Sequence, residues 1–405
     1  MRVLFLTQRL PYAPNRGDRL RAYHMMAALV PHAAIDLISL VHDAEEASHA
    51  AEITTAESVR TVPTSLPYAA WRSAKVLLTG EPLTHALLDG PGMTRAIGAA
   101  LAAARPDVVF AYCSGMARFA LEPPLSAFPL VLDFVDVDSA KWTALGESTR
   151  GPKGWVYRRE ASVLGRFEAL AARRARASLV TTERERDALL ALAPEVRVEV
   201  VQNGVDLEAF RAPGPPGTSP AVVFCGVMNY APNETGALWL AREIWPLVLV
   251  ERPDARLTIV GASPTAAVSA LAAVPGITVT GSVPDVRPYL WEAAVAVAPL
   301  MTARGVQNKV LEAVAAGLPC VVTDVVAAGL PPEVMPACAV AGAAPHFARA
   351  IVRLLAAAPG ERRALAARTT VAALGWRQRL APLPGLLAAA ASSDGARFQV
   401  RERPQ

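Results

Sequence analysis

The chain has 405 residues, of which 53% are hydrophobic and 19% charged, and a formal net charge of +4. That length exceeds one typical core, so two domains are expected, and a charge near balance gives no reason to expect a nucleic-acid partner. Mean hydropathy is +0.29, but much of the excess is alanine, and uncharged runs such as Leu380 to Ser393, with Pro382, Pro384 and Gly385 inside it, fall short of the ~18 to 20 residues of a membrane-spanning helix.

The N-terminal apolar stretch, Val3 to Leu6, is shorter than a signal-peptide core and reads as a first buried strand, which points to the cytoplasm. Cys113, Cys225, Cys320 and Cys338 are scattered without a C-x-x-C pair, and the six histidines show no ligand spacing. No metal is expected, and the thiols read as small buried hydrophobes in a reducing compartment. Only four cationic side chains are lysines (75, 141, 153 and 309), so a lysine is an uncommon choice here.

In chain order, Val3 to Thr7 is a strand, residues 8–17 a loop, and Asp18 to Leu29 a helix opened by Gly17, whose backbone could meet a ligand or simply turn the chain. Further strands are predicted at Ile35 to Val41, Ser58 to Val62, Val108 to Tyr112 and Leu130 to Phe134, with Ala-rich helices between several of them. This rhythm argues for a doubly wound parallel sheet. Asp133, Asp136 and Asp138 crowd the exit of the last of these strands, where carboxylates need a cation, a donor or solvent. Asp136-Val137-Asp138 also fits the D-x-D pattern that holds a metal and a diphosphate in some transferases, and the plainer reading is that these side chains cap the next helix. Trp155 to Ala177 is a basic amphipathic helix rich in arginine; it could lie on an anionic membrane surface, but it reads as a solvated outer helix of the domain.

Strands at Ser178 to Thr182 and Val198 to Val201 close this half. Arg211 to Pro220, with four prolines and two glycines, reads as the interdomain linker. The rhythm then restarts: strand Val222 to Cys225, helix Asn233 to Leu249, strands Arg256 to Val260 and Ile277 to Thr280, with Gly226, Gly261 and Gly281 just after strands, where backbone must pass close to a helix or ligand. Strands Ala293 to Pro299 and Cys320 to Thr323 flank RGVQNKVLEAVAAGLP, residues 304–319. There Val306, Val310, Leu311 and Val314 share one helix face while Gly305, Asn308, Lys309 and Glu312 share the other, and Gly317 and Pro319 end the helix. A glycine, exposed amides and a lysine at a helix start suit a phosphate or diphosphate; the alternative is an ordinary Lys309–Glu312 surface pair. After a strand near Ala337 to Val340 come helices at His346 to Ala357 and Gly360 to Leu374, a segment at 376–391 interrupted by prolines, and a polar tail at 392–405 expected to be disordered.

Several stretches, in this order, resemble the retaining family-4 glycosyltransferases of the two-Rossmann-domain GT-B type: the loop at Gly17, VVQNGVDLEAF, VVFCGVMNYAPN, TIVG, VTGSVPDVRPYL and NKVLEAVAAGLPCVVT. LDFVDVDSAKW, CGVMNYAPN and RGVQNKVLEA are most similar to a bacterial subgroup tied to exosortase and exopolysaccharide loci. The resemblance implies an α/β GT-B fold, with an acceptor domain over 1–210, a linker at 211–220, a donor domain over 221–375, and 376–391 packing back toward the first domain, the two sheets facing a cleft. It implies a nucleotide-sugar donor, bound by Gly17, Gly226, Asn233, Gly261, Gly305, Val306, Gln307, Asn308, Lys309 and Glu312, and a glycan or lipid-linked acceptor near Asp133 and Asp138. No cofactor beyond the donor is implied, and a peripheral station on the inner membrane surface fits such an acceptor.

Glu312 matches the second glutamate of the family's E-x7-E motif, usually a ribose partner, but the first glutamate is replaced by Arg304. The basic pair expected after Cys225 is absent, with Met228 and Asn233 near those places, and the family's N-domain histidine has no counterpart, Asp136 being the nearest polar residue. Lys309, Arg304 and Asp136 are therefore the catalytic candidates. The implied mechanism has positive charge and helix amides stabilise the departing diphosphate, while the acceptor hydroxyl attacks from the same face. Three other readings remain: a nucleotide-sugar epimerase of this fold, a non-catalytic donor-binding subunit, and a metal-dependent transferase using Asp136 and Asp138.

Overall fold

The computed structural model describes residues 1–13, 17–64, 72–73, 76, 79–214, 219–303 and 305–392. It divides into two compact units, one comprising Met1–Gln202 with the chain from Leu380 onward, the other Asn203–Arg379.

The first unit is built on a seven-stranded parallel sheet in the order β3-β2-β1-β4-β5-β6-β7, with β1 Arg2–Thr7, β2 Ala34–Val41, β3 Ser58–Pro63, β4 Val108–Tyr112, β5 Leu130–Val135, β6 Ala177–Val180 and β7 Val198–Val200. The central strands are mostly apolar because helices cover both faces, with Asp133 of β5 a buried exception. All five residues of β4 are buried, whereas the edge strands β3 and β7 are mostly half-exposed. Phe5 and Phe110, from neighbouring central strands, stack with ring centroids 4.7 Å apart. Three helices matter below: α1 (Gly17–Leu29), α2 (Asp138–Ser148) and α3 (Gly151–Arg174).

The second unit has six parallel strands in the order β10-β9-β8-β11-β12-β13, with β8 Ala221–Cys225, β9 Arg256–Val260, β10 Ile277–Val279, β11 Val295–Ala298, β12 Cys320–Val322 and β13 Cys338–Val340. Each sheet reverses its winding beside its first strand, between β1 and β4 in one unit and between β8 and β11 in the other. The loops leaving those strands open a crevice at their C-terminal ends.

Two helices differ from expectation for local reasons. The helix predicted over Asn233 to Leu249 is α4 (Ala231–Trp239), a π-helical turn over Leu240–Ile244, and a further helix from Trp245 to Glu251. Pro246 has no N–H to give an α-helical partner, and the wider turn absorbs the mismatch. The helix predicted from Gly360 to Leu374 ends at Ala367, where Thr369 Oγ1 donates to the Ala366 carbonyl at 2.7 Å and competes with helix continuation. The remaining helices used below are α5 (Asn308–Ala315) and α6 (Leu383–Ala391); α6 packs against α1, β4 and β5 of the first unit. The tail at 393–405 lies outside the described residues.

Candidate functional site

In the second unit, the β8 exit carries Gly226 to Asn233 and the β11 exit carries Gly305 to Glu312, and the topology brings both to one crevice wall. Val310, Leu311, Ala313 and Val314 of α5 are buried in the core, as their spacing requires. Lys309 is not an outward surface group. Its Nζ donates to Asn233 Oδ1 at 2.6 Å and sits 4.9 Å from the centroid of the Phe224 ring. Asn233, itself buried, donates from Nδ2 to the Val227 carbonyl at 2.9 Å. In place of the alternative Lys309–Glu312 surface pair, Lys309 is tethered to α4, 76 residues away.

The electrostatics follow from that burial. Desolvation lowers the Lys309 ammonium to about 8, against the opposing pull of Glu312. It raises Glu312 to about 7, with Lys309 opposing. The Cys225 thiol is pushed up to about 12 by burial and by Glu312, so it stays a neutral neighbour. Above this wall, the first amides of α5 have no intrahelical acceptor. Asn308 Oδ1 accepts from Asn203 Nδ2 at 3.3 Å, and Gln307 precedes the helix without capping it by its side chain. A cation held under open helix amides is suited to an oxyanion.

The glycines divide by what a side chain would meet. A Cβ on Gly226 would lie 2.7 Å from Asn233 Nδ2, so its absence is what admits the tether. Gly261, expected to face a ligand, instead packs under the Gly226 loop: its φ is +149° and a Cβ there would be 1.7 Å from the Gly226 carbonyl oxygen. Gly281 adopts φ +69° in open space, so it serves the turn and not a close approach. Gly305 is buried at φ +65°, and the Val306 side chain belongs to the core, so that residue can offer a ligand only backbone. Arg304 lies outside the described residues.

In the first unit, Gly17 opens α1. Buried Glu46 accepts from the amides of Leu10, just after β1, at 3.1 Å and of His42, just after β2, at 2.9 Å. Asp133 is not on an accessible surface. It is fully buried, and its carboxylate accepts from Arg21 Nε at 2.7 Å and from the Val135 amide at 3.0 Å, so its chemistry is spent inside the fold. Asp136 is half-buried and accepts from Thr181 Oγ1 at 3.0 Å, burial raising its carboxyl while that bond opposes the rise. Asp138 is the first residue of α2. None of the three caps that helix. Glu185 accepts from the Val137 amide at 2.6 Å, and Glu168, raised to about 8 by burial, accepts from the Ser139 amide and hydroxyl. Among the described residues no three His, Cys, Asp or Glu side chains are grouped to hold a metal ion.

Residues 10–204 match the profile of the glycosyl transferase 4-like domain, and residues 219–357 match that of the glycosyl transferases group 1. The chain belongs to the group 1, family-4-like glycosyltransferases. No curated protein sequence matches this glycosyltransferase. Solved structures do: Anabaena HepE in complex with UDP and glucose is 13% identical, with a TM-score of 0.65 over 96% of this chain and 100% of that one. WaaG, a glycosyltransferase involved in lipopolysaccharide biosynthesis, is 16% identical, with a TM-score of 0.61 over 96% and 100%. The Candida albicans trehalose-6-phosphate phosphatase N-terminal domain is 12% identical, with a TM-score of 0.65 over 96% and 97%. At such identities the likeness speaks to the fold, which is GT-B, with two Rossmann-like units.

The sequence brought Asn233, Lys309 and Glu312 of this glycosyltransferase forward, and the structure gathers all three beside Gly226. It does not signal Phe224, whose ring lies beside the ammonium, or Asn203, which holds Asn308. Neither partner stands at a helical or strand spacing from the residue it serves, so no local pattern reveals them. Among the described residues no helix is long and apolar enough to cross a membrane.

Proposed function

We propose that this glycosyltransferase moves a sugar from a nucleotide-sugar donor to a glycan or lipid-linked acceptor, with retention of anomeric configuration and without a metal. The observation that carries this reading is the Lys309 ammonium, fixed by Asn233 beneath the N-terminus of α5, with Glu312 one turn further along. In this reading Lys309 and the α5 amides of Asn308 and Lys309 take the diphosphate and stabilise it as it leaves, and Glu312 accepts from the ribose hydroxyls. Gly226 and Gly261 shape the loop under the donor, Asn233 orients the cation, and Gly305 to Gln307 contribute backbone. Arg304 adds charge where relatives carry a glutamate, and Asp136 is the catalytic candidate of the first unit, which also holds Gly17. The donor is the only small molecule required. HepE, whose complex holds UDP and glucose, lends support to a nucleotide-sugar donor.

The acceptor hydroxyl attacks from the face the diphosphate leaves and gives its proton to the departing phosphate oxygen, so no protein nucleophile is needed. The resemblance to the exosortase-linked subgroup supports a role in exopolysaccharide or cell-surface glycan synthesis, with the enzyme stationed peripherally on the inner face of the cytoplasmic membrane.

A thermal-shift screen with UDP, GDP, ADP and their sugars tests the donor reading, because a ligand that binds only the folded state raises the transition temperature. Lys309→Ala should remove the shift while leaving the ligand-free transition intact. Transfer measured with EDTA should equal transfer without it; abolition by EDTA would overturn the metal-free mechanism.

A further inference from the structure

The outer edge of the second sheet carries a groove that the donor site leaves unexplained. It holds about 410 Å³ and is walled by β13, at Ala339 and Val340, and by the helix Ala344–Ala356, at His346, Arg349 and Arg353. β13 stands last in the sheet order, so one side of it has no neighbouring strand. Ala341 donates its amide to the Val322 carbonyl at 2.9 Å, and in a parallel ladder successive residues turn their backbone groups to alternate sides. The amide and carbonyl of Val340, itself 43% exposed, therefore point out from the open edge.

The helix wall is cationic because of its period. Phe347, Ile351, Leu354 and Leu355 are buried in the core. At 100° per residue, His346, Arg349 and Arg353 fall within about 60° of one another on the flank beside β13, along about 10 Å of helix. All three are exposed, and none is paired with a carboxylate among the described residues. The acid nearest this end of β13 is Asp324, which packs against Gly342 and is not part of the groove wall. An edge that is merely guarded carries charge or proline on the strand itself, or lies under a covering segment. β13 reads Cys-Ala-Val, and its charges stand on the helix above, where they frame the edge and leave it open.

We propose that this groove takes an extended acidic segment of a partner protein, which adds as a strand to β13 and sets alternate carboxylates against Arg349 and Arg353. An extended chain places same-face side chains about 6.6 Å apart, and the two arginines are separated by about 6 Å of helix rise. Pairing through the Val340 backbone supplies affinity, and the arginines select the charge of the side chains. A second copy of this chain does not suit the groove, since antiparallel pairing of two β13 edges about a two-fold axis would bring the two cationic flanks face to face. The groove shares no residue with the donor site.

Fluorescence anisotropy of the full chain with a labelled peptide of alternating glutamate and valine tests the inference. Binding is expected, should weaken at high salt, and should be at least tenfold weaker when glutamine replaces glutamate. Methylating one of the peptide's two sets of alternate backbone amides should cost far more than methylating the other, because only one set faces β13. Arg349→Glu with Arg353→Glu should raise Kd at least tenfold. Val340→Pro removes an outward amide and no ladder bond, so it should do the same; if it lowers the melting temperature, the methylated peptides alone carry the backbone test. Both variants should keep the nucleoside-diphosphate thermal shift of the parent chain. No binding of the acidic peptide, an unaltered Kd in the arginine variant, or an equal effect of the two methylations would overturn the inference. Tighter binding of oligothymidylate or polyphosphate than of the peptide would also overturn it, as would a dimer of the chain that Val340→Pro dissociates.

Discussion

Changing pH and deleting one ammonium should separate the two charged groups of the donor site. Lys309 is held near 8, so it is about ten-to-one protonated at pH 7 and about ten-to-one neutral at pH 9. A diphosphate binds the ammonium form. Affinity should therefore be full below about 8 and fall as pH rises above it. Glu312, raised to about 7, accepts ribose hydroxyls best as the carboxylate, so affinity should also fall as pH drops below that value. The result is a bell whose limbs lie close together. A hydrogen bond to a charged group contributes ~1.5–3 kcal/mol, which is roughly 10- to 150-fold in Kd. Calorimetric titration with whichever of UDP, GDP and ADP binds, at several pH values, should show that loss at pH 7 for Lys309→Ala, together with a flat alkaline limb. Glu312→Gln should flatten the acid limb alone. An alkaline limb that survives Lys309→Ala would refute the assignment, because the titrating group would then be another residue.

Other perturbations follow from the same geometry. The folded-state pKa of Lys309 lies below its ordinary 10.5, so the unfolded chain binds more protons between about 8 and that value. Stability should rise with pH across this window, and Lys309→Met should abolish the rise and increase the melting temperature at pH 7, as differential calorimetry would register. Asn233→Asp should place a carboxylate beside Nζ and move the alkaline limb of nucleotide binding upward, whereas Asn233→Ala should weaken binding without that shift. Asp133→Ala leaves the Arg21 guanidinium buried without its carboxylate and should cost ~3–5 kcal/mol in chemical denaturation. Gly261→Ala drives a methyl into the Gly226 carbonyl and should cost at least ~1–3 kcal/mol, with nucleotide affinity falling as the loop shifts.

Strands such as β4 and β11 were legible because, buried on both faces, they stand out as short uninterrupted apolar runs. The α5 segment was legible because its period separates Val310 and Val314 from Lys309 and Glu312. Where these polar groups end up was not, since the partner of Lys309 comes from a helix in a distant stretch of chain. The buried glutamates show the same gap more sharply. Glu160 and Glu168 look like counterions scattered among arginines, and both point inward to backbone amides. Capping from another segment leaves no trace at the capped helix, where Asp136 and Asp138 look better qualified for the task. Asp133 misleads because a strand-end aspartate and a core aspartate are spelled alike until Arg21 is found beside it.

The division of the chain has a consequence for how such enzymes can be altered. Because the first unit resumes at Leu380 and includes α6, the second unit is a single uninterrupted insert within it, entered after Gln202 and left at Arg379. Exchange of that insert between relatives would replace the whole second sheet with its Gly226 and α5 loops in one recombination event. Truncation just before α6 would remove material from the first unit and leave the insert whole.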